Sequence, residues 1–452
     1  MRNTIVLTVS RFYEKGIMFL FFILLAQKFG KESFGEFSYY FTIASIIFVV
    51  FDLGGEFYQI REFTKKESLK LFHNILVLKV FLAIIVFLVA FYFSQPLYLL
   101  ILIFSFFCDS LISLFRSSLY KNGQYLQESI LTGVEKTVFI LLALFSSFAF
   151  QSIVWMYLAF VAGKLVYLSL SLMKFYKIKY LFGSFRLLDQ SLLKSYAFNS
   201  WSYVLHALLV IIFVQIDIVM LKHMGVPFEE IGLYSAAVKI YFTVVIFADI
   251  MFKQYYPKIA SLIQDDETDS LRKYILKIQS TNIYASFVFS LLTLVFANEI
   301  VSAAFGSEFS ESGRMLTLLS VIIVFRFSMY TYTAMLSSSR LNYVKLITSL
   351  TCVLANVGLN FILIPRYGVY GALAATVITE FILVALYKIS SYKIVFTNYI
   401  AVKEILVLFC VFSLSIIFYE YAIPVQGKIF VVVILSIYLF INKSGIKKAL
   451  SF

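Results

Sequence analysis

Ionisable side chains inside long apolar segments are the residues of this sequence best placed to do chemistry. The set consists of Asp109, Lys164, Asp217, Lys239, Asp249, Arg326 and Glu380. A charge at the centre of a bilayer costs about 2.5–3.5 kcal/mol on insertion scales, so such residues usually face a polar cavity or a partner. Arginine and lysine are the usual partners of phosphate oxygens. Lys164, Lys239 and Arg326 therefore predict a cavity for an anion such as a diphosphate or an acidic sugar.

The acidic members of this set have two open interpretations. Asp109, Asp217 and Glu380 either balance the cavity cations or relay a coupling ion, or they only pair with a neighbouring helix. Lys79 and Arg116 lie near predicted span ends, within snorkelling reach of the inner interface, so a structural role is favoured for both. The sequence alone does not choose between a balancing and a coupling role for the carboxylates.

The segments that hold these residues are membrane spans. Hydrophobic residues make up 61% of the 452 residues and charged residues only 14%, against about 25% charged residues in a soluble domain. A helix needs roughly 20 mainly apolar residues to cross the hydrocarbon core. The prediction is an all-α integral membrane protein of about fourteen transmembrane helices, with twelve or thirteen as alternatives; the candidate spans are 12–29, 37–57, 72–94, 97–119, 129–150, 152–173, 197–222, 231–252, 276–297, 313–337, 341–364, 368–390, 402–420 and 425–442.

Motifs of enzymes and of metal sites are missing from the sequence. The three cysteines, Cys108, Cys352 and Cys410, sit in apolar runs typical of core residues, and the three histidines are isolated. Neither a phosphate-binding loop nor a Gly-x-Ser-x-Gly elbow occurs. We therefore expect no enzyme, no cofactor and no metal. If the protein carries out active transport, the energy would have to come from an ion gradient, the membrane potential or consumption of the substrate on the far side.

The distribution of basic residues predicts the orientation. The net charge is +13, but the lysines and arginines fall between apolar runs and form no contiguous patch, which disfavours nucleic acid as a partner. The connections 58–71, 174–196 and 253–275 are rich in lysine and arginine. Basic connections lie on the cytoplasmic side, so both termini are predicted to be cytoplasmic. The outer connections are short, which predicts that the protein acts within the membrane.

A weak internal repeat indicates two related halves. Phe34-Gly35-Glu36-Phe37-Ser38 resembles Ile231-Gly232-Leu233-Tyr234-Ser235, and each follows an outer turn that contains a glycine. The two motifs lie six spans apart, and an even number of spans gives both motifs the same orientation in the membrane. The halves would therefore be related by a pseudo-two-fold axis along the membrane normal. The predicted domains are an N-terminal six-helix bundle (1–180), a C-terminal six-helix bundle (181–395), and two extra spans with a cytoplasmic tail (396–452).

Three segments carry a resemblance to a known family. They are 355–365 followed by 368–376 and Glu380, 217–221 followed by 232–239, and the turn at 34–37. Together with the helix count and the loop pattern, they resemble the polysaccharide or O-antigen flippases of the multidrug/oligosaccharidyl-lipid/polysaccharide exporter superfamily. The run Gly371–Thr376 is typical of close helix packing and says nothing direct about cargo.

The resemblance implies a V-shaped pair of bundles with alternating access in the bacterial inner membrane. The implied cargo is an undecaprenyl-diphosphate-linked oligosaccharide for O-antigen, capsule or another surface polysaccharide. A polysaccharide polymerase and a chain-length regulator are candidate partners besides the lipid bilayer. The family's cavity cations fall on Arg11 in the first helix and Lys239 in the eighth, although Arg11 lies close to the cytoplasmic end of its helix.

Three other functions stay open at this point. A lipid II flippase of peptidoglycan synthesis shares the fourteen-helix plan but usually carries several arginines in its first two helices. A multidrug exporter of the same superfamily typically has twelve helices and acidic cavity residues. A membrane-embedded polysaccharide polymerase or acyltransferase usually has a large outer loop or a catalytic histidine. Each fits the sequence less well than the oligosaccharide flippase.

Overall fold

The computed structural model describes residues 2–63, 68–150, 152–175, 189–339 and 341–394. These residues contain helices and short turns and no strand. In lipid every backbone amide and carbonyl must be satisfied within the protein, and a helix does this within one segment. The all-α membrane fold predicted from the sequence is therefore confirmed. The helices are α1 Arg2–Asp52, α2 Gly55–Phe63, α3 Ser68–Tyr92, α4 Leu97–Lys121, α5 Tyr125–Ala149, α6 Val154–Phe175, α7 Gln190–His223, α8 Phe228–Gln264, α9 Thr268–Val295, α10 Ala297–Phe305, α11 Ser310–Ser338 and α12 Asn342–Ser391.

Ten of these helices are long and apolar enough to cross a membrane. Two of them, α1 and α12, are interrupted by a glycine with non-helical backbone angles, Gly30 (φ 77°) and Gly368 (φ 54°). Left-handed backbone of this kind suits glycine, which has no Cβ. Counted on either side of these glycines, the spans correspond to the first twelve predicted ones. The predicted spans 402–420 and 425–442 lie outside the described residues, so the total of fourteen stays a prediction.

Two predicted boundaries differ from the structure. The predicted second span, 37–57, ends early at Asp52 because Leu53, Gly54 and Gly55 all have positive φ, and the chain turns into the short helix α2. The connection between the predicted spans 276–297 and 313–337 holds α10 and the 3₁₀ turn Ser307–Phe309. Short helices at the ends of apolar spans carry too few residues to show a helical period in the sequence.

Contacts divide the chain into two compact units, Met1–Val219 and Met220–Phe452. In the N-terminal unit α1 packs against α4 and α5, and α6 also packs against both of those helices. In the C-terminal unit α11 packs against α8, α9 and α12. The predicted domains 1–180, 181–395 and 396–452 rest on helix number and stay a prediction.

The N-terminal end of α7 is fastened to α3. Asp189 accepts hydrogen bonds from the backbone amides of Ser191 and Leu192, its other carboxylate oxygen lies 2.9 Å from Lys70 Nζ, and its own amide donates to Asn74 Oδ1. The hydrogen bonds from Ser191 and Lys70 hold the pKa of the Asp189 carboxyl well below its usual range. Asp189 thus caps α7 and joins it to α3 with its carboxylate ionised at neutral pH.

Replacing Gly371 with alanine should destabilise the turn inside α12. A Cβ at this position would press into the carbonyl group of Leu363 and lie 2.9 Å from the backbone nitrogen of Ile364. Overpacking of this kind costs about 1–3 kcal/mol. The measurement is thermal unfolding of the purified protein in detergent. The matched control is Gly358→Ala on the same helix, where nothing lies within 4 Å of the added Cβ; equal unfolding temperatures for the two variants would contradict the close approach.

Candidate functional site

The N-terminal unit encloses a cavity of about 340 Å³ lined by charged side chains. Residues from α1, α2, α4, α5 and α6 contribute to its wall. The charged lining comprises Glu14, Asp52, Glu56, Asp109, Arg116, Glu135, Lys136 and Lys164, and the apolar lining includes Phe41, Phe48, Phe106 and Phe160. A largely apolar wall with a few convergent charged groups is typical of a binding site for a small polar group.

Lys164 on α6 is held firmly in this wall. Its ammonium group forms an ion pair with Asp109 of α4 and donates to the Ser105 carbonyl at 3.3 Å. It also lies 4.0 Å from the ring centroid of Phe160 and 5.0 Å from that of Phe106, which are cation–π distances. Only 2% of the Lys164 side chain is exposed, against 29% for Asp109. Asp109 is therefore the member of the pair that faces the cavity.

Arg11 and Lys136 share a carboxylate. Arg11 Nη1 lies 2.9 Å from Glu14 Oε2 on the same helix, and Lys136 Nζ of α5 lies 3.9 Å from Glu14 Oε1. Lys136 is also 2.7 Å from its neighbour Glu135. Arg11 donates a further hydrogen bond to the Tyr120 hydroxyl of α4 at 2.9 Å. The charged network thus connects α1, α4 and α5.

Arg116 on α4 completes this network. Its Nε lies 2.8 Å from Glu128 Oε1, and its Nη1 lies 3.7 Å from Glu56 Oε2. The other oxygen of Glu56 lies 3.7 Å from Arg11 Nη2. Burial raises the pKa of the Glu56 carboxyl, and Arg116 and Arg11 oppose this shift. Glu56 therefore bridges two guanidinium groups without a close hydrogen bond to either of them.

Lys79 forms a separate contact behind the cavity. Its fully buried ammonium group donates to the backbone carbonyl of Ser110 at 2.9 Å and lies 3.9 Å from Asp52 Oδ1. This side chain does not snorkel to the interface, as its position near a helix end had suggested, because it points inward between α1 and α4. Arg116 likewise points into the protein, with 12% of its side chain exposed.

Among the charged groups that line the cavity, the carboxylates are more numerous than the cations, and several of them are more exposed. Five carboxylates and three cations line it. The side chains of Glu14, Glu56 and Asp109 are between 22% and 29% exposed, whereas those of Arg116, Lys136 and Lys164 are at most 12% exposed. Arg11 is 34% exposed and is the most accessible cation of the network. In this conformation the side chains of Glu14, Glu56 and Asp109 are therefore more accessible than the cations that line the cavity.

The C-terminal unit holds a second buried ion pair. Arg326 of α11 pairs with Glu380 of α12 and donates from Nε to the Tyr241 hydroxyl of α8 at 3.1 Å. Lys239 is half-buried on α8 of this unit, whereas Asp217 is buried on α7 in the N-terminal unit. The structure thus places Lys164 and Asp109 in the lining of one cavity, joins Arg11 to that lining through Glu14 and Glu56, and pairs Arg326 with Glu380. The roles of these residues in binding stay predictions.

The site residues predicted from the sequence do not include Glu128, Glu135 and Lys136. They lie on one face of α5 together with Thr132, and all four side chains are buried. Their spacing of four, seven and eight residues is the repeat of a helix face. A buried polar stripe at helical spacing was therefore the signal that would have found them, whereas counting isolated charges in each span did not.

The sequence is similar to proteins of polysaccharide biosynthesis. A family model described as "Polysaccharide biosynthesis protein" matches residues 1–263. The capsular polysaccharide biosynthesis protein CapF of Staphylococcus aureus is 24% identical over 155 residues, which are 34% of this chain and 38% of CapF. The match thus spans well under half of the curated relative.

Two solved structures share the fold of the chain. One is the lipid II flippase MurJ in an inward closed conformation, with a TM-score of 0.73, 14% identity, and coverage of 98% of this chain and 100% of that one. Another is an inward-facing multidrug resistance MATE family transporter of the MOP superfamily, with a TM-score of 0.68, 14% identity, and coverage of 84% and 95%. A flippase and a transporter thus share this fold. The chain belongs to the polysaccharide biosynthesis protein family, on the fold that MOP transporters share.

Proposed function

We propose that the protein is a flippase for undecaprenyl-diphosphate-linked oligosaccharides, which it moves from the cytoplasmic to the outer leaflet of the bacterial inner membrane for surface polysaccharide synthesis. The observation that carries this proposal is the charged cavity of the N-terminal unit, in a chain that belongs to a polysaccharide biosynthesis family. A diphosphate cannot cross hydrocarbon without partners, because burying an unpaired charge is prohibitively costly. Arg11, Arg116 and Lys136 supply such partners within the membrane.

The transport cycle in this proposal is alternating access. The diphosphate binds to cavity cations while the sugars occupy polar space and the polyprenyl tail stays in lipid. Both termini are cytoplasmic, and a polysaccharide polymerase and a chain-length regulator act on the product at the outer face. Tags on the two termini that are degraded by protease only after the inner membrane is made permeable would support this orientation.

Deletion of the gene in its native host tests the function. Loss of surface polysaccharide, with complete lipid-linked repeat units trapped on the cytoplasmic leaflet, is the expected result, and the plasmid-borne gene should reverse it. Unpolymerised repeat units at the outer surface would instead indicate a polymerase. Normal polysaccharide with altered drug tolerance would indicate an exporter.

A lipid II flippase is the second candidate, because the structural likeness to MurJ extends over 98% of this chain. Depletion of such a protein would stop cell-wall synthesis and cause lysis. The oligosaccharide flippase would instead be dispensable in a strain that makes no lipid-linked repeat unit. Lysis of that strain after deletion of the gene would instead indicate a lipid II flippase.

A further inference from the structure

Glu56 stands at the start of α2, where an unusual turn delivers it to the cavity. Leu53, Gly54 and Gly55 have φ values of 55°, 100° and 79°, so three successive residues adopt left-handed backbone. Such a conformation disfavours leucine and persists only where its surroundings hold it. The turn separates α1 from α2 after Asp52, and Glu56 in the first turn of α2 lines the cavity.

The Glu56 carboxylate occupies a place suited to a phosphate group. Its two oxygens lie 3.7 Å from Arg11 Nη2 and 3.7 Å from Arg116 Nη1. Two guanidinium groups that face one anion are a favoured arrangement for phosphate, which offers more oxygens than a carboxylate and accepts shorter charge-assisted hydrogen bonds. A phosphate group and Glu56 would therefore compete for Arg11 and Arg116.

The other carboxylates of the network are held more tightly than Glu56. Arg11 Nη1 donates a hydrogen bond to Glu14 Oε2 at 2.9 Å, and Arg116 Nε forms an ion pair with Glu128 Oε1 at 2.8 Å. Glu56 is the carboxylate whose contacts with both arginines are longer, so a competing anion displaces it at the least cost.

The charges around the displaced Glu56 carboxylate determine whether it stays ionised. The charged groups facing Glu56 are Arg11, Glu14 and Asp52 on α1, Arg116 on α4 and Glu128 on α5. Once a diphosphate neutralises the two arginines, an ionised Glu56 would lie among carboxylates and phosphate oxygens. Like charges in a partly buried site disfavour ionisation, so the carboxyl takes up a proton.

We infer that Glu56 is a built-in competitor of the substrate: it occupies the diphosphate position, and the diphosphate headgroup of a polyprenyl lipid displaces it with uptake of one proton. This inference rests on the proposed function and adds a proton to its binding step.

Calorimetric titration of the purified protein in lipid nanodiscs tests this inference. The ligand is farnesyl diphosphate, with inorganic pyrophosphate as the form without a lipid. Each titration is run between pH 6 and pH 8 in two buffers of different ionisation enthalpy, which gives the number of protons taken up. The proteins are the wild type, Glu56→Gln, Glu56→Asp and, as a control, Glu62→Gln, whose carboxylate on the same helix pairs with Arg61. The ligand's own titration is common to all of them, so differences between proteins report the protein's protons.

The wild type should take up one proton more than Glu56→Gln. A neutral glutamine no longer competes as an anion, so Glu56→Gln should bind more tightly at pH 8. The ratio of the affinity of Glu56→Gln to that of the wild type should rise about tenfold from pH 7 to pH 8. This is the change expected when binding to the wild type takes up one proton that binding to the variant does not. Glu56→Asp should keep the extra proton, and Glu62→Gln should match the wild type. Farnesyl diphosphate should bind more tightly than pyrophosphate.

Equal proton counts in the wild type and Glu56→Gln, or weaker binding by Glu56→Gln, would overturn the role of Glu56. Equal affinities for farnesyl diphosphate and pyrophosphate would overturn the assignment to a lipid headgroup. These outcomes are separate from the gene deletion above. If the deletion strain traps repeat units but Glu56 shows no proton linkage, the proposed flippase function stands and only the role of Glu56 is wrong.

Discussion

The variant Arg326→Ala should lose about 3–5 kcal/mol of stability, because it leaves the Glu380 carboxylate buried without its cation. Glu380 is 1% exposed and Arg326 is 13% exposed, so water does not replace the missing partner. The Tyr241 hydroxyl also loses the guanidinium group that donates to it. Thermal unfolding of the detergent-purified protein measures the loss. Arg314→Ala on the exposed side of the same helix is the matched control and should unfold like the wild type.

A double variant separates the structural role of this pair from substrate binding. Arg326→Met with Glu380→Gln removes both charges, and replacing a buried ion pair by neutral side chains of similar size is often close to neutral for stability. The double variant should therefore regain most of the unfolding temperature lost by Arg326→Ala. If it also restores surface polysaccharide, Arg326 is a structural residue; if it folds but makes no polysaccharide, the predicted binding role stands. An unchanged unfolding temperature in Arg326→Ala itself would contradict the buried pair.

Replacing Arg11 with alanine should reduce transport about ten- to one-hundred-fold while leaving the protein folded. A hydrogen bond to a charged group contributes about 1.5–3 kcal/mol, and each 1.4 kcal/mol is about a factor of ten in binding. The fold survives because each carboxylate that Arg11 contacts keeps a second cation. Lys136 stays 3.9 Å from Glu14, and Arg116 stays 3.7 Å from Glu56.

The amount of surface polysaccharide per tagged protein in the membrane measures this effect. Lys15→Ala is the matched control, since it removes an exposed cation from the same helix without touching the network. Arg11→Lys should restore part of the activity, because an ammonium group keeps the charge but lacks the planar fork of a guanidinium. Wild-type polysaccharide in Arg11→Ala would exclude Arg11 from substrate binding.

Apolar segment length alone predicted most of the fold. Each predicted span within the described residues is helical, since a helix satisfies its own backbone in lipid. The glycines in the predicted outer turns also mark real breaks between helices, because Gly30, Gly225 and Gly368 all have positive φ. The end of the second span was predicted wrongly, because the turn at Leu53 depends on local backbone angles that apolar composition does not record.

The candidate site could be predicted only in part. Their depth within the spans marked out four charged residues that are buried or partly buried in the structure: Lys164, Asp109, Arg326 and Glu380. It did not predict that these residues form two ion pairs. The partners lie 55 and 54 residues apart in sequence, and their meeting depends on the rotation of each helix about its axis. The same limit applies to Lys79, for which distance from the interface suggested snorkelling although the side chain points inward.

Transfer of a lipid-linked oligosaccharide between leaflets is the most direct test of the proposed function. The purified protein is reconstituted into vesicles that contain undecaprenyl-diphosphate-linked oligosaccharide from the native host. A membrane-impermeant glycosidase then reports how much of the lipid reaches the outer leaflet over time. The account predicts rapid transfer with the wild type and with Lys15→Ala, and slow transfer with Arg11→Ala. Transfer no faster than in protein-free vesicles, or equal rates for the wild type and Arg11→Ala, would contradict it.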